Sequence, residues 1–324
     1  MAKETTLVEY ASRRERLSRG FSSAFAVLAF LGPYALCFAL FFVFPLVLGI
    51  VMSMSGFDGK GMFPTSFVGF DNFVAVFTNP VLSRDFWSAV WTTFKFALVI
   101  VPLSILIPLG LALLINMKPP LYKVFRACIY LPGIFPLTAT GLILLKMFDF
   151  QSGWINAFFG LSLDWFATPT LAWFMIGLFC LWCGIGGNFI ILCAGLENVP
   201  HSLYEASTVD GAGAFRRFFH VTLPGIKDQL FLCLFTTFIS YMNLYGQVYI
   251  LASNTPDQDA MKSAVYRIQD MLLGSSRGYG FAAAMGICLG LIIVVIAIIQ
   301  LLCNKERKGG SRRAQGYAAW KASR

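Results

Sequence analysis

Nearly charge-free apolar runs, each long enough to cross a bilayer, alternate with polar connections along the chain. The first extends from Phe25 to Met54, longer than the ~20 residues that span hydrocarbon and longer than the apolar core of a signal peptide. Gly32-Pro33 or Pro45 is expected to tilt or bend it. Five further runs lie at 88–116, 127–148, 170–196, 229–252 and 280–303, and in the first of these Pro102 and Pro108 mark points of breakage or bending. The pattern predicts an all-α integral membrane protein with six transmembrane helices. Its parts are a tail at 1–24, a six-span domain at 25–303 whose first span covers about 25–54, and a basic tail at 304–324.

Composition agrees with the pattern. Apolar residues make up 57% of the 324 and charged residues 13%, with a mean hydropathy of +0.71. A water-soluble domain is normally below about half apolar and near a quarter charged. The net charge of +9 would suit nucleic acid, but its distribution points to a membrane. Of the 25 Lys and Arg, 18 fall in the two tails and in the connections 117–126 and 197–228, and five in the other three connections. Lys95 and Lys146 sit near span ends, where they can snorkel. Positive residues favour the cytoplasmic side, so both termini and the 197–228 connection are expected there, in a multi-pass protein of the cell membrane. All eight cysteines lie in apolar runs. Cys180-Leu181-Trp182-Cys183 lacks the second ligand pair of a zinc site and reads as small packing residues.

The stretch 198–224 (NVPHSLYEASTVDGAGAFRRFFHVTLP) is polar and punctuated between two apolar runs. Ser202 to Glu205 has the form of a capping box and predicts a helix start. Asp210-Gly211 predicts a sharp turn, because Gly accepts the positive φ that ends a helix. A second short helix is expected from about Ala214 to Leu223, stopped by Pro224. Together they would make a rigid two-helix knob.

That knob resembles the EAA loop of the permease subunits of ATP-binding-cassette importers, most closely the maltose and multiple-sugar branch. The likeness is carried by Glu205, Ala206 and Ser207, then Asp210, Gly211 and Ala212, then Phe218, Val221, Leu223 and Pro224. Ser207 replaces the family's usual Ala, and both are small. Tyr130-Leu131-Pro132 with Lys146 to Asp149, Gly153, Ile155 and Asn156 is similar to the third span and outer turn of the family. Gly69 to Phe73 with Phe86 to Ala89 is similar to the approach to its second span, and Gly278 to Gly280 with Ala282 to Ala284 to the entry of its last. The resemblance covers nearly the whole chain and implies a type I importer permease fold.

It also implies partners: a second permease subunit that is related but distinct, two cytoplasmic ATP-binding-cassette subunits into which the knob docks, an extracytoplasmic solute-binding protein and a sugar. ATP and magnesium would be used by the partner ATPase, with no cofactor on this chain. The residues themselves agree. The single Gly-Lys pair, Gly59-Lys60, is followed by Gly61 and forms no phosphate loop, and the two histidines, His201 and His220, belong to no catalytic constellation. The chain is therefore not read as an enzyme. A secondary carrier is the alternative class, disfavoured by the lack of an evident inverted repeat or buried carboxylate. A permease for a non-sugar solute also stays open.

Polar groups in the spans are candidates for the pathway: Trp182 and Asn188 in the fourth run, Tyr241, Asn243, Tyr245 and Gln247 in the fifth. Amide and aromatic groups suit a neutral polyol. Interhelical hydrogen bonding with small-residue packing is the more ordinary account of each of these residues taken singly.

Overall fold

The computed structural model describes residues 29–57, 66–252, 255, 261–274 and 278–322, with the backbone alone at 274 and 303–322. The tail 1–24, the side chains of 304–324, and Lys60 and Arg277 from the charge count lie outside the described residues. Among those described, everything regular is helical apart from an isolated bridge between Ser55 and Phe67. In chain order the helices are α1 (Ala29–Ser53), α2 (Asp71–Thr78), α3 (Leu82–Asn116), α4 (Tyr122–Tyr130), α5 (Leu137–Met147), α6 (Trp154–Phe159), α7 (Pro169–Glu197) and α8 (His201–Val209). They continue as α9 (214–225), α10 (Lys227–Met242), α11 (Gly246–Ala252), α12 (Ala264–Gly274) and α13 (Gly278–Ala322).

α3 is the central helix. It packs most extensively on α7 and also on α10 and α12, burying Phe86, Ala97, Ala112, Met175, Phe179 and Phe189. Lipid tails are as apolar as these side chains, so close packing and interhelical hydrogen bonds hold the bundle rather than transfer from water. Gly186 shows how closely the helices approach: a Cβ there would lie 3.1 Å from the Tyr130 Cα. α1 stands at the edge against α13, its apolar side chains facing outward.

Prolines explain most departures from straight runs. Pro102 and Pro108 lie inside α3, which continues through both for 35 residues. Two other prolines each follow a π-helical turn by two positions. Ala39–Val43 precedes Pro45, and Phe218–Thr222 precedes Pro224. A proline ring clashes with the carbonyl four residues back. Widening the turn, so that Phe44 N–H donates to the Ala39 carbonyl and Leu223 N–H to that of Phe218, relieves this clash without ending the helix.

The sequence predicts that Pro224 stops the second knob helix, and in the structure it does not. α9 runs through Ala214–Arg217, the π turn and Leu223–Gly225, and α10 begins two residues later.

Two of the predicted spans are broken. The run 127–148 divides at a 3₁₀ turn, Leu131–Ile134, and an extended Phe135-Pro136, and the two parts make an angle of 98°. The residue before a proline avoids the helical region, which places the corner at Phe135. The run 229–252 divides between Met242 and Gly246. There the freed Leu244 carbonyl accepts the Ser263 hydroxyl, and the Ala264 N–H donates to Thr93 Oγ1 at 2.9 Å. Arg267, paired with Asp85 and with Asp270 at 3.3 Å, ties α12 to the start of α3.

Among the described residues four helices are long and apolar enough to cross a membrane unbroken: α1, α3, α7 and the 278–302 part of α13. The bent pair 122–147 is a fifth candidate.

Candidate functional site

The knob is built at the root of α7. After Glu197 the chain passes through buried Val199 to Pro200, whose extended backbone starts α8 at His201. Ser202 is therefore the second helical residue, and no side chain caps this end. The capping box predicted from Ser202 and Glu205 does not form, because a cap residue must be non-helical and these two lie inside the helix. Both are exposed.

The other end of α8 follows its prediction. Gly211 has φ +70°. Its N–H donates to the Thr208 carbonyl at 3.0 Å and that of Ala212 to the Ser207 carbonyl at 2.9 Å, the paired bonds of a Schellman cap. Across the turn Tyr204 Oη and Thr222 Oγ1 are 3.1 Å apart, and Arg217 donates to Thr208 Oγ1 at 3.2 Å. These bonds fix α9 against α8.

Half-buried Ser207, Ala212, Phe218, Val221 and Leu223 form the inner seam of the knob, while Glu205, Ala206, Asp210 and Pro224 are exposed. The structure adds an exposed apolar tip that the sequence reading did not single out. Val209 is 89% and Phe215 79% exposed, and Phe215 packs on Phe219 with ring centroids 4.7 Å apart. Their apolarity on an otherwise polar connection was the signal available.

The six polar candidates in the spans separate into groups. Asn188 and Tyr241 are buried and meet at Ser104. Asn188 Nδ2 donates to the Ser104 carbonyl at 2.8 Å and to Thr237 Oγ1 at 3.0 Å, and Tyr241 Oη lies 2.9 Å from Ser104 Oγ. Tyr241 also donates to the Cys180 carbonyl at 3.4 Å. One network thus joins α3, α7 and α10. Trp182 stands apart, exposed, on a cavity of about 340 Å³ between α5 and α7.

Asn243 and Tyr245 lie at the break between α10 and α11, with Gln247 just beyond it on α11. Asn243 is exposed and the other two are half-buried. Asn243 and Gln247 are not one turn apart on a continuous helix, because the break lies between them. Tyr245 stacks on Tyr249 with centroids 5.5 Å apart, and Tyr266 joins from α12 at 6.1 Å. Tyr249 was legible as the next turn after Tyr245. Tyr266 comes from a separate connection and was not.

A multi-pass helical bundle with broken helices, polar groups at the breaks and a rigid knob between two spans defines a membrane transport subunit. The chain belongs to the family of inner membrane components of binding-protein-dependent transport systems, whose sequence model matches residues 104–308. It is accordingly a transport subunit rather than an enzyme.

It is 31% identical to the sulfoquinovosyl glycerol transport system permease protein SmoG of Agrobacterium fabrum over 85% of this chain and 90% of that protein. It is 29% identical to the arabinooligosaccharides transport system permease protein AraP of Bacillus subtilis over 89% and 91%. Among solved structures it resembles a chain of a bacterial ABC transporter for the import of the acidic polysaccharide alginate. That match has a TM-score of 0.77 at 20% identity, covering 90% of this chain and 99% of that one, and it shows the fold.

Proposed function

We propose that this chain forms half of the translocation pathway of an ATP-driven importer for a sugar or oligosaccharide. A second permease subunit would complete the path, a solute-binding protein would deliver the sugar from outside, and two cytoplasmic ATPases would use ATP and magnesium. The observation that carries this reading is the knob: two short helices locked at a fixed angle by the Gly211 cap, with an exposed apolar tip suited to a cleft in a partner. Glu205, Ala206 and Asp210 would lie at that contact, and Ser207, Ala212, Phe218, Val221 and Leu223 would hold its shape. Relatives named for arabinooligosaccharides and lactose support a carbohydrate substrate.

Counting the bent 122–147 pair and the broken 227–252 segment once each gives six spans with both termini cytoplasmic, in keeping with the basic residues. Asn243, Tyr245 and Gln247 at the break, together with Trp182, would face the sugar, whose C–H faces suit tyrosine rings and whose hydroxyls suit amides. Closure of the ATPases would draw the knobs together and reorient the spans. Uptake of a panel of labelled sugars into proteoliposomes containing the complex and its binding protein tests the reading. ATP-dependent accumulation of at least one carbohydrate supports it, and accumulation driven by an ion gradient without ATP refutes it.

A further inference from the structure

At the knob end of the bundle a cavity of about 260 Å³ opens among α3, α4 and α7, lined by Asn116, Lys118, Tyr122, Arg126 and Glu197 among others. We propose that it binds the phosphate-bearing headgroup of an anionic glycerophospholipid from the leaflet on the knob side. This goes beyond the import reading and needs no assumption about the transported solute.

Three observations carry it. The first is chemical: the cavity holds two cations and an amide donor with one carboxylate. Arg126 Nη1 donates to Glu197 Oε1 at 2.9 Å, which leaves other guanidinium donors and the Lys118 ammonium for an oxyanion. The first turn of α4, which begins at Tyr122 on the cavity wall, adds its positive helix end.

The second observation is backbone rigidity. Lys118 and Leu121 are the two non-glycine residues with positive φ among those described, +52° and +63°, and they flank Pro119-Pro120. Such conformations persist only where the surroundings require them. This turn holds Lys118 at the cavity rather than leaving it on a free loop.

The third observation identifies the source of the phosphate. Met117 and Leu121, next in sequence to the lining residues Lys118 and Tyr122, are 79% and 70% exposed, and Val124 and Phe125 on α4 are also exposed. A polar cavity whose lining turn and helix also carry exposed apolar side chains, at the end of membrane helices, matches a molecule with an anionic head and acyl chains. A soluble phosphate would make no use of those apolar groups. Glu197 ends α7 only a few residues before the knob begins, so an occupied headgroup site would brace the root of the coupling element.

The test uses the assembled transporter in neutral detergent with a fluorescent phosphatidylglycerol as probe, read by polarisation, and reads the binding that depends on this chain. Each cation near a membrane surface contributes about a five-fold change in affinity for anionic lipid. The double variant Lys118→Ala/Arg126→Gln should therefore weaken binding about 25-fold, by that same measure. Glu197→Gln breaks the same ion pair as Arg126→Gln but removes a competing anion, so it should strengthen binding. Unlabelled phosphatidylglycerol should compete, and sn-glycerol 3-phosphate at equal concentration should not. Unchanged binding in the double variant overturns the proposal. Weakening by Glu197→Gln would make the ion pair merely structural and also overturns it. Equal competition by sn-glycerol 3-phosphate would replace the lipid by a soluble phosphate.

Discussion

Gly211→Val isolates the geometry of the knob from its contacts. The position has φ +70° and an added Cβ would meet nothing within 4 Å, so the cost of a side chain there is conformational rather than steric crowding by neighbours. A left-handed conformation costs an ordinary residue about 1–2 kcal/mol, and a β-branched residue falls at or above the upper end. Relaxing the turn instead loses the two closing bonds from Gly211 and Ala212 to Thr208 and Ser207, each worth about 1 kcal/mol. The two effects oppose each other: the bonds favour the native turn by about 2 kcal/mol, and the Val side chain offsets about 2 kcal/mol or more. The ratio of native to relaxed turn therefore falls roughly thirty-fold, to about one or below, and half or more of the knobs lose their angle. Gly211→Asn is the matched control, because Asn tolerates this conformation.

The assay is ATP hydrolysis stimulated by sugar-loaded binding protein in proteoliposomes, with subunit stoichiometry checked in the same preparation. Gly211→Val should lose about half or more of the stimulation with the permease pair still assembled, and Gly211→Asn should keep most of it. Native stimulation in the Val variant would refute the reasoning. An equal loss in both variants would mean that the bare surface of glycine, not its backbone conformation, is what the partner needs.

Glu205→Ala removes an exposed carboxylate that caps nothing, so the melting temperature of the purified complex should be unchanged while stimulated hydrolysis falls, and a lowered melting temperature would return Glu205 to a structural role. Tyr241→Phe should destabilise the bundle by about 0.6 kcal/mol, the mean for an interhelical bond in a membrane, read as earlier unfolding in SDS titration. Asn188→Leu should cost more, about 1–3 kcal/mol, because it leaves the Ser104 carbonyl and Thr237 buried and less satisfied. Asn243→Leu and Gln247→Leu should instead reduce sugar transport with unfolding unchanged; loss of assembly would make them packing groups. In a cysteine-free background, a cysteine at Ser162 should react with an impermeant thiol reagent from outside and one at Ala214 should not, and the reverse pattern would overturn the orientation.

The positions of the four long apolar helices were legible because apolar runs in lipid have few alternatives to helix. Their straightness was not. The same apolarity describes α3, which continues through Pro102 and Pro108, and the run 127–148, which turns through 98° at Phe135-Pro136. What differs is the neighbourhood. At the corner a glycine-containing 3₁₀ turn packs on α7, where Gly133 lies near the Cys183 carbonyl, and that contact rewards the bend. In the knob, Gly211 was legible because a positive φ leaves few residue choices. The helix start was misread because Pro200 sets it one residue before Ser202, and a local pattern for capping carries no information on which residue is already helical.

Polar residues inside the spans were the least legible part, and the structure shows why. Asn188 and Asn243 have the same side chain in equally apolar sequence, yet one is buried between three helices and the other is exposed beside a helix break. The partners of Asn188 are the Ser104 carbonyl and Thr237, 84 and 49 residues away, so no local pattern could assign them. Asn243 bonds to the Ile239 carbonyl within its own last turn, as an amide does when a helix ends beside it. A polar group that crosses between helices makes the bundle rigid, and a substrate could use it only by breaking that bond. A polar group at a break keeps unused donors and acceptors and sits where the backbone can change angle. Under the import function proposed above, the search for sugar contacts therefore starts around 243–247 before Asn188, although in sequence the two stretches make equal claims.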